Sequence, residues 1–302
     1  MSRGSQLSLP TPKRFDLRCA VCHYGWYALA PNRWDAAAEQ LHRPIRVSER
    51  TVVRTSTRQR GKRLVVACHR KLSRKQQATV KAGLRRMLRL DEDLGAFHRQ
   101  HRRARQSGFG RLLRSPTLFE DMVKTITGCN VAWANTMSMN AKLCEHYGGG
   151  GFPSPRRLAA VDADEMKATC KVGYRAERII RLARQFVSGE IDAAWYESPD
   201  RTTDELFDAL RGLYGFGDYA AGNMLQCLGR YDRVAIDSET YRHFREQYGV
   251  KTPDSGAGLR RLHDRIERHY ARYTPYQFLA YWYELWHDYA ETGAFNALAR
   301  KD

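Results

Sequence analysis

Apolar residues change their spacing part-way along the chain. In the first part they come in short runs. Phe15 to Leu29 is rich in aromatic and apolar side chains, and two β-branched runs between Thr51 and Arg70 flank Gln59-Arg60-Gly61-Lys62, a hairpin signal with glycine in the turn. Antiparallel sheet is expected there. A helix is expected from Ser73, because Gln76 three residues later completes a capping box and Val80, Leu84, Met87 and Leu88 fall on one face. From about residue 96 the pattern turns helical. Ser115-Pro116 is a helix-start signal, and Phe119, Met122, Val123 and Ile126 follow at i, i+3, i+4 and i+7. Further helices are predicted over 158–170, 176–187, 203–213, 218–228, 258–270 and 275–290. The predicted class is α+β: a loose tail at 1–13, an antiparallel sheet domain at 14–95 and an all-α domain at 96–302.

Composition narrows the class. With 302 residues, 42% hydrophobic and 11% aromatic, the chain can bury a substantial core, which excludes wholesale disorder. No apolar run approaches the roughly twenty residues of a membrane span, so no membrane partner is expected. The polar start, Met1 to Arg14, reads as a tail rather than a targeting segment, and seven cysteines read as reduced thiols of a cytoplasmic protein, nucleoid-associated in a bacterial host. Cys19-x-x-Cys22-His23 with Cys68-His69 invites a zinc reading. Against it, strand residues three apart face opposite sides of a sheet, and small half-buried strand side chains are preferred.

The net charge of +18 is unevenly placed. Residues 43–114 hold 22 Lys and Arg against 4 Asp and Glu, which is the whole excess. Such a stretch suits a polyanion, most simply nucleic acid, because each phosphate neutralised releases counterions. The alternative is a solvated, solubilising face.

The segment Leu210 to Arg242 carries the chemistry. An apolar helix ends near Leu213, Tyr214-Gly215-Phe216-Gly217 supplies a turn, and a second helix begins at Asp218 with Ala220, Ala221 and Gly222 in its first turns. Two glycines one residue apart permit backbone angles closed to other residues, and small residues let helices approach. Backbone amides at the start of the second helix are then free to bind a phosphate. Arg233-Val234-Ala235-Ile236 forms a short apolar run that delivers Asp237 to the same edge. Taken alone, Asp237 followed by Ser238-Glu239-Thr240 also fits a helix N-cap.

Here the chain resembles the helix-hairpin-helix DNA glycosylases, in the branch that holds 3-methyladenine glycosylase II and the 8-oxoguanine glycosylases. Leu213-Tyr214-Gly215-Phe216-Gly217 is similar to the family's L-P-G-V-G hairpin, and Ile236-Asp237-Ser238-Glu239 to its V-D-x-H loop. Val172-Gly173-Tyr174-Arg175-Ala176 resembles the G-Y-R-A element of the 8-oxoguanine enzymes, and Gly110-Arg111-Leu112-Leu113-Arg114, leading to Cys129-Asn130, is a third match. The resemblance spans about residues 14–245. It implies that Gly215 and Gly217 grip the backbone of double-stranded DNA through their amides. It also implies that carbonyls of Arg211, Leu213 and Phe216 hold an alkali-metal ion, with no other cofactor required. Asp237 matches the catalytic aspartate: breaking an N-glycosidic bond builds positive charge on the sugar, which a fixed carboxylate stabilises. Asn130 matches the gap-filling residue, and Tyr174 and Arg175 match residues that wedge beside and contact the opposite base. Tyr219 and Trp133 are candidates for the base pocket, as is the run from Tyr276 to Trp286, whose spacing equally suits ordinary core.

Departures from the family pattern sharpen the expectation. Members that also cut the strand carry a lysine two residues after the last hairpin glycine; this chain has Tyr219, and a phenol cannot form a Schiff base. A monofunctional glycosylase is expected, excising an alkylated or oxidised purine, and a monomer. Asn135 replaces an arginine that reads the opposite cytosine, Glu239 replaces a histidine, and no cysteine follows Asp237, which leaves no iron–sulfur signature. The competing readings are a catalytically silent protein that binds DNA structure or damage, and an RNA-binding protein. Neutralising several arginines between residues 43 and 114 is expected to weaken DNA binding and flatten its salt dependence without changing which base is cut; a salt titration of the affinity checks this.

Overall fold

Alternating side chains build the sheet. In the computed structural model, which describes residues 4–253 and 255–292, five antiparallel strands lie in the order β1-β5-β4-β3-β2. They are β1 (Gln6–Pro10), β2 (Arg33–Asp35), β3 (Gln40–Ser48), β4 (Thr51–Arg60) and β5 (Arg63–Cys68). The β4–β5 turn falls at Gly61, φ +54°, as the hairpin signal predicts. Leu41, Ile45, Val53, Leu64 and Val66 are buried in one core with Val80, Leu84 and Met87 of the helix Arg74–Met87, whose Ser73/Gln76 capping box forms as expected. Arg54, Arg58 and Arg63 stay exposed.

Two expectations for the N-terminal part are corrected. The expected loose tail, 1–13, contains β1, because Leu7 and Leu9 are buried as that strand pairs along β5. Residues 15–29 are not strand. They form helix α1 (Leu17–Cys22) and a short 3-10 turn, Gly25–Ala28. Asp16 starts the helix by accepting the Cys19 N–H, and Leu17, Ala20 and Val21 supply a buried helical face. Cys19 and Cys22 therefore do not sit on a strand. Burial pushes both thiols up to about 12, and among the described residues no group of three or more metal-ligating side chains assembles.

With Arg74–Met87 as α2, the helices that follow are α3 (Gly95–Gln100), α4 (Arg102–Ser107), α5 (Leu118–Gly128), α6 (Trp133–Tyr147), α7 (Pro155–Ala159), α8 (Ala163–Cys170), α9 (Arg175–Ser188), α10 (Ala193–Tyr196), α11 (Thr203–Arg211), α12 (Asp218–Cys227), α13 (Ser238–Tyr248), α14 (Gly256–Tyr270) and α15 (Gln277–Thr292). The single helix expected over 158–170 is two, since Asp162 caps a new start by accepting the Asp164 and Glu165 amides. These helices share a second core, which also takes in Tyr24, Trp26 and Leu29 from the chain before β2.

His23 fastens that early segment to α15. Its ring stacks on Phe109 at 5.3 Å and lies 4.3 Å from Trp286, while its carbonyl accepts the Trp282 indole N–H at 2.8 Å. Burial pulls its pKa from 6.5 down to about 4. The unfolded chain takes up this proton near pH 6.5 and the folded chain only near 4, so acid favours unfolding. The neutral ring's stabilisation is complete above pH 6.5 and is lost as pH falls towards 4, about 3 kcal/mol in all. Urea unfolding between pH 7 and pH 4 is expected to show this loss, and His23→Phe to remove it.

Candidate active site

The hairpin uses its two glycines differently. Phe216 donates its N–H to the Leu213 carbonyl at 3.1 Å, closing the turn between α11 and α12. Gly215 sits at φ +90°, and a Cβ there would stand 2.4 Å from Cδ of Arg178. Gly217 is the N-cap of α12 and offers no side chain to the helix's first amides, which stay available to an anion. Gly222 lets the run before Asp237, rather than α11, come close: a Cβ on it would meet that of Ala235 at 3.1 Å.

Asp237 combines the two roles its sequence context allows. It N-caps α13, with Oδ1 accepting from the Thr240 amide and hydroxyl, both at 2.9 Å, while its own N–H donates to Thr240 Oγ1 at 3.2 Å. The Tyr281 hydroxyl lies 3.0 Å from that same Thr240 oxygen. Threonine has one proton and the carboxylate is the stronger acceptor, so Tyr281 donates to Thr240 and Thr240 to Asp237. Burial, reinforced by the nearby Asp237 carboxylate, raises the Tyr281 phenol well above its ordinary pKa and keeps this donor protonated. The chain of bonds orients Oδ1 and leaves Oδ2 outside the capping box.

Asp237 lines a cavity of about 770 Å³ together with Tyr219 and Trp133, so the expected catalytic and base-pocket residues meet in one place. Burial raises the Tyr219 phenol, and Asp237 adds to that shift. Of the C-terminal aromatic run, Phe278, Tyr281 and Trp282 line the cavity, whereas Tyr283 and Trp286 pack on Phe109. Glu239 stands at the cavity too, held by the Arg242 guanidinium at 2.6 Å and by the Tyr289 hydroxyl at 2.5 Å. The Arg242 hydrogen bond keeps its carboxyl below the ordinary range and offsets its charge.

Asn130 and Tyr174 both lie at the surface. Asn130 is exposed at φ +51°, and Tyr174 is 48% exposed. Arg175 does not reach out beside them. It is buried, donating to the Cys129 carbonyl and, at 3.3 Å, to the Asn130 carbonyl. The residue expected to contact an opposite base thus ties one loop to the other, because those two carbonyls follow the end of α5 and have no helical partner.

Some cavity residues carry no family signature. Lys124 and Thr125 on α5, Asn223 and Gln226 on α12, and Tyr24 and Trp26 all line it. One signal for them existed: Asn223 and Gln226 stand four and seven residues after Tyr219, polar groups on one face of a largely apolar helix. The basic stretch also divides. Arg43, Arg86, Arg89 and Arg114 are committed to partners inside the protein, so the charge open to an external polyanion lies on exposed residues such as Arg54, Arg58, Arg60 and Arg63.

Residues 123–268 match the family model described as HhH-GPD superfamily base excision DNA repair protein. No curated protein matches the chain. Among solved structures, the fold is similar to 3-methyladenine DNA glycosylase from Archaeoglobus fulgidus, with TM-score 0.70, 16% identity and coverage of 94% of this chain and 99% of that one. It is also similar to MBOgg1 in complex with a low affinity DNA ligand, with TM-score 0.66, 17% identity and coverage of 97% and 98%. A third is the apo 8-oxoguanine glycosylase/lyase of Clostridium acetobutylicum, with TM-score 0.62, 15% identity and coverage of 87% and 93%.

Removing the tie between the surface loops tests its importance. Arg175→Ala is expected to lose roughly 1.5–3 kcal/mol, as for hydrogen bonds of a charged group, and to weaken duplex binding about 10-fold. Thermal melting and a binding titration check both; wild-type values in both would show that the loops hold without it.

Proposed function

We propose that this chain, whose residues 123–268 match the HhH-GPD superfamily model of base excision DNA repair proteins, is a monofunctional DNA glycosylase that hydrolyses the N-glycosidic bond of a modified base flipped out of duplex DNA. The observation that carries this reading is Asp237, fixed by Thr240 and Tyr281 at the wall of an aromatic cavity large enough for a base. As the bond breaks, positive charge grows on the deoxyribose, and Oδ2 offers an oriented anion to it and to the attacking water. The α12 amides beyond Gly217 are suited to a phosphate of the same strand, and Asn130 and Tyr174 to the space left by the extruded nucleotide. A monovalent ion on the carbonyls of Arg211, Leu213 and Phe216 would add charge at the phosphate; Leu213 accepts the Phe216 N–H and keeps a second lone pair for it.

Tyr219 supports the absence of strand cleavage. It stands in the cavity where lyase members of the family carry lysine, and its buried phenol is neither an amine nor ionised. Asp237→Asn is expected to lower base release from damaged DNA by about 10²- to 10³-fold while duplex binding stays within about threefold, since removing one charge-stabilising group costs roughly 2.7–4 kcal/mol. Mass spectrometry of released bases and a binding titration read the two. Equal release by both proteins defeats the enzyme reading, and a borohydride-trapped protein–DNA adduct defeats the monofunctional one.

A further inference from the structure

Beside Asp237 the cavity carries a polar cluster that the sugar chemistry does not use. Gln226 Nε2 donates to the Tyr24 hydroxyl at 2.8 Å and to Asn223 Oδ1. Tyr24 donates to Asn223 Oδ1 at 3.3 Å, and Asn223 Nδ2 donates to Thr125 Oγ1 at 3.2 Å. Burial raises the Tyr24 phenol well above its ordinary pKa, so it remains a donor. Two groups are left over. Gln226 is 3% exposed, yet its Oε1 accepts no hydrogen bond among the described residues. Half-buried Asn223 retains one amide hydrogen. A buried acceptor without a donor is costly, and the side chain that carries it lines a ligand-sized cavity together with Asn223 and its spare donor. An acceptor next to a donor is the complement of a lactam edge, –NH–C(=O)–.

The charge behind the cavity points the same way. Arg43, Glu120 and Lys124 form a buried cluster, with Glu120 2.5 Å from Arg43 and 2.8 Å from Lys124. Burial alone would raise the Glu120 carboxyl, but the two cations outweigh it and hold it below the ordinary range. Two cations against one anion leave a net positive charge, and the Lys124 ammonium lies 5.9 Å from the centroid of Trp26, which lines the cavity. A cationic base stacked on Trp26 would meet a π system already serving the Lys124 ammonium, on a different part of the cavity wall from the Asp237 carboxylate that faces the sugar in the proposed reaction.

We propose that Asn223 and Gln226 are specificity-determining residues that read the lactam edge of a flipped purine by hydrogen bonds, while the buried cationic cluster beside Trp26 disfavours cationic alkylated purines. This rests on the glycosylase reading and names the class of base for that site. It narrows the sequence expectation, which admitted alkylated purines equally.

The test uses the full chain and duplexes whose target nucleotide carries a 2′-fluoro sugar, which resists cleavage, so that binding is read alone. The probes are 8-oxoguanine and hypoxanthine (neutral, with a lactam), 7-methylguanine (lactam, cationic), 1,N6-ethenoadenine (neutral, no N–H on that edge) and a base-free tetrahydrofuran site. Both neutral lactam bases are expected to bind at least about 10-fold tighter than 7-methylguanine and ethenoadenine. Gln226→Leu and Asn223→Ala should each remove most of the preference over ethenoadenine while leaving the tetrahydrofuran duplex bound as by wild type, which shows that the variants fold. Equal or tighter binding of 7-methylguanine overturns the proposal, as does a wild-type preference over ethenoadenine in both variants. Base release from unfluorinated duplexes separates the two levels. A lactam preference in binding with no release of any base defeats the glycosylase reading alone, and release of 7-methylguanine ahead of the lactam bases defeats the base class alone.

Discussion

The fold depends on how the C-terminus of α12 is held. The last carbonyls of a helix have no intrahelical partner and carry the negative end of its dipole. Here Arg89, at the end of α2, donates to the Gln226 carbonyl at 2.5 Å and the Cys227 carbonyl at 3.3 Å, and Arg114 donates to Cys227 at 2.8 Å. Arg89 is itself fixed by the Leu112 carbonyl at 2.6 Å and by Glu92, which also accepts the Tyr231 hydroxyl. Two guanidiniums thus clamp the helix whose other end begins at the hairpin and whose middle lines the cavity. Because α12 is only ten residues long, about 15 Å, a shift at the clamp would move Gly217, Tyr219, Asn223 and Gln226 together.

Asp237 shows a similar economy. Capping α13 and serving chemistry are compatible because the carboxylate has two oxygens. The cap uses Oδ1 and thereby orients Oδ2. Tyr281 extends this support to α15, so the helix that walls the cavity also fixes the group acting in it.

Legibility in the sequence followed range. Local signals held: the Gly61 turn, the Ser73 capping box, the hairpin glycines and Asp237 each depend on a few adjacent residues. Residues 15–29 were misread because their aromatic content imitates a strand, while one side chain, Asp16 as N-cap, decides for helix. The internal bonds of Arg175 were not legible for the opposite reason. Its motif is local, but the carbonyls it binds lie 45 and 46 residues away. Tyr24 is about 200 residues from the amides it meets, and no periodicity reports such a contact.

Charge, affinity and discrimination come apart once the arginines are placed. Residues 200–250, with the hairpin and Asp237, hold 6 basic and 9 acidic residues, so side-chain charge there does not attract DNA. In the proposed function helix amides would do that work locally, and they need no particular base. The basic stretch splits between exposed strand arginines, open to phosphates, and buried ones at and just beyond the end of α2 that hold α12 and, through Asp121, α5. In the proposed function the same residue type would give sequence-independent affinity on one face while it sets the cavity's geometry on the other. Discrimination would then be left to neutral amides, hydroxyls and rings whose positions that buried set determines.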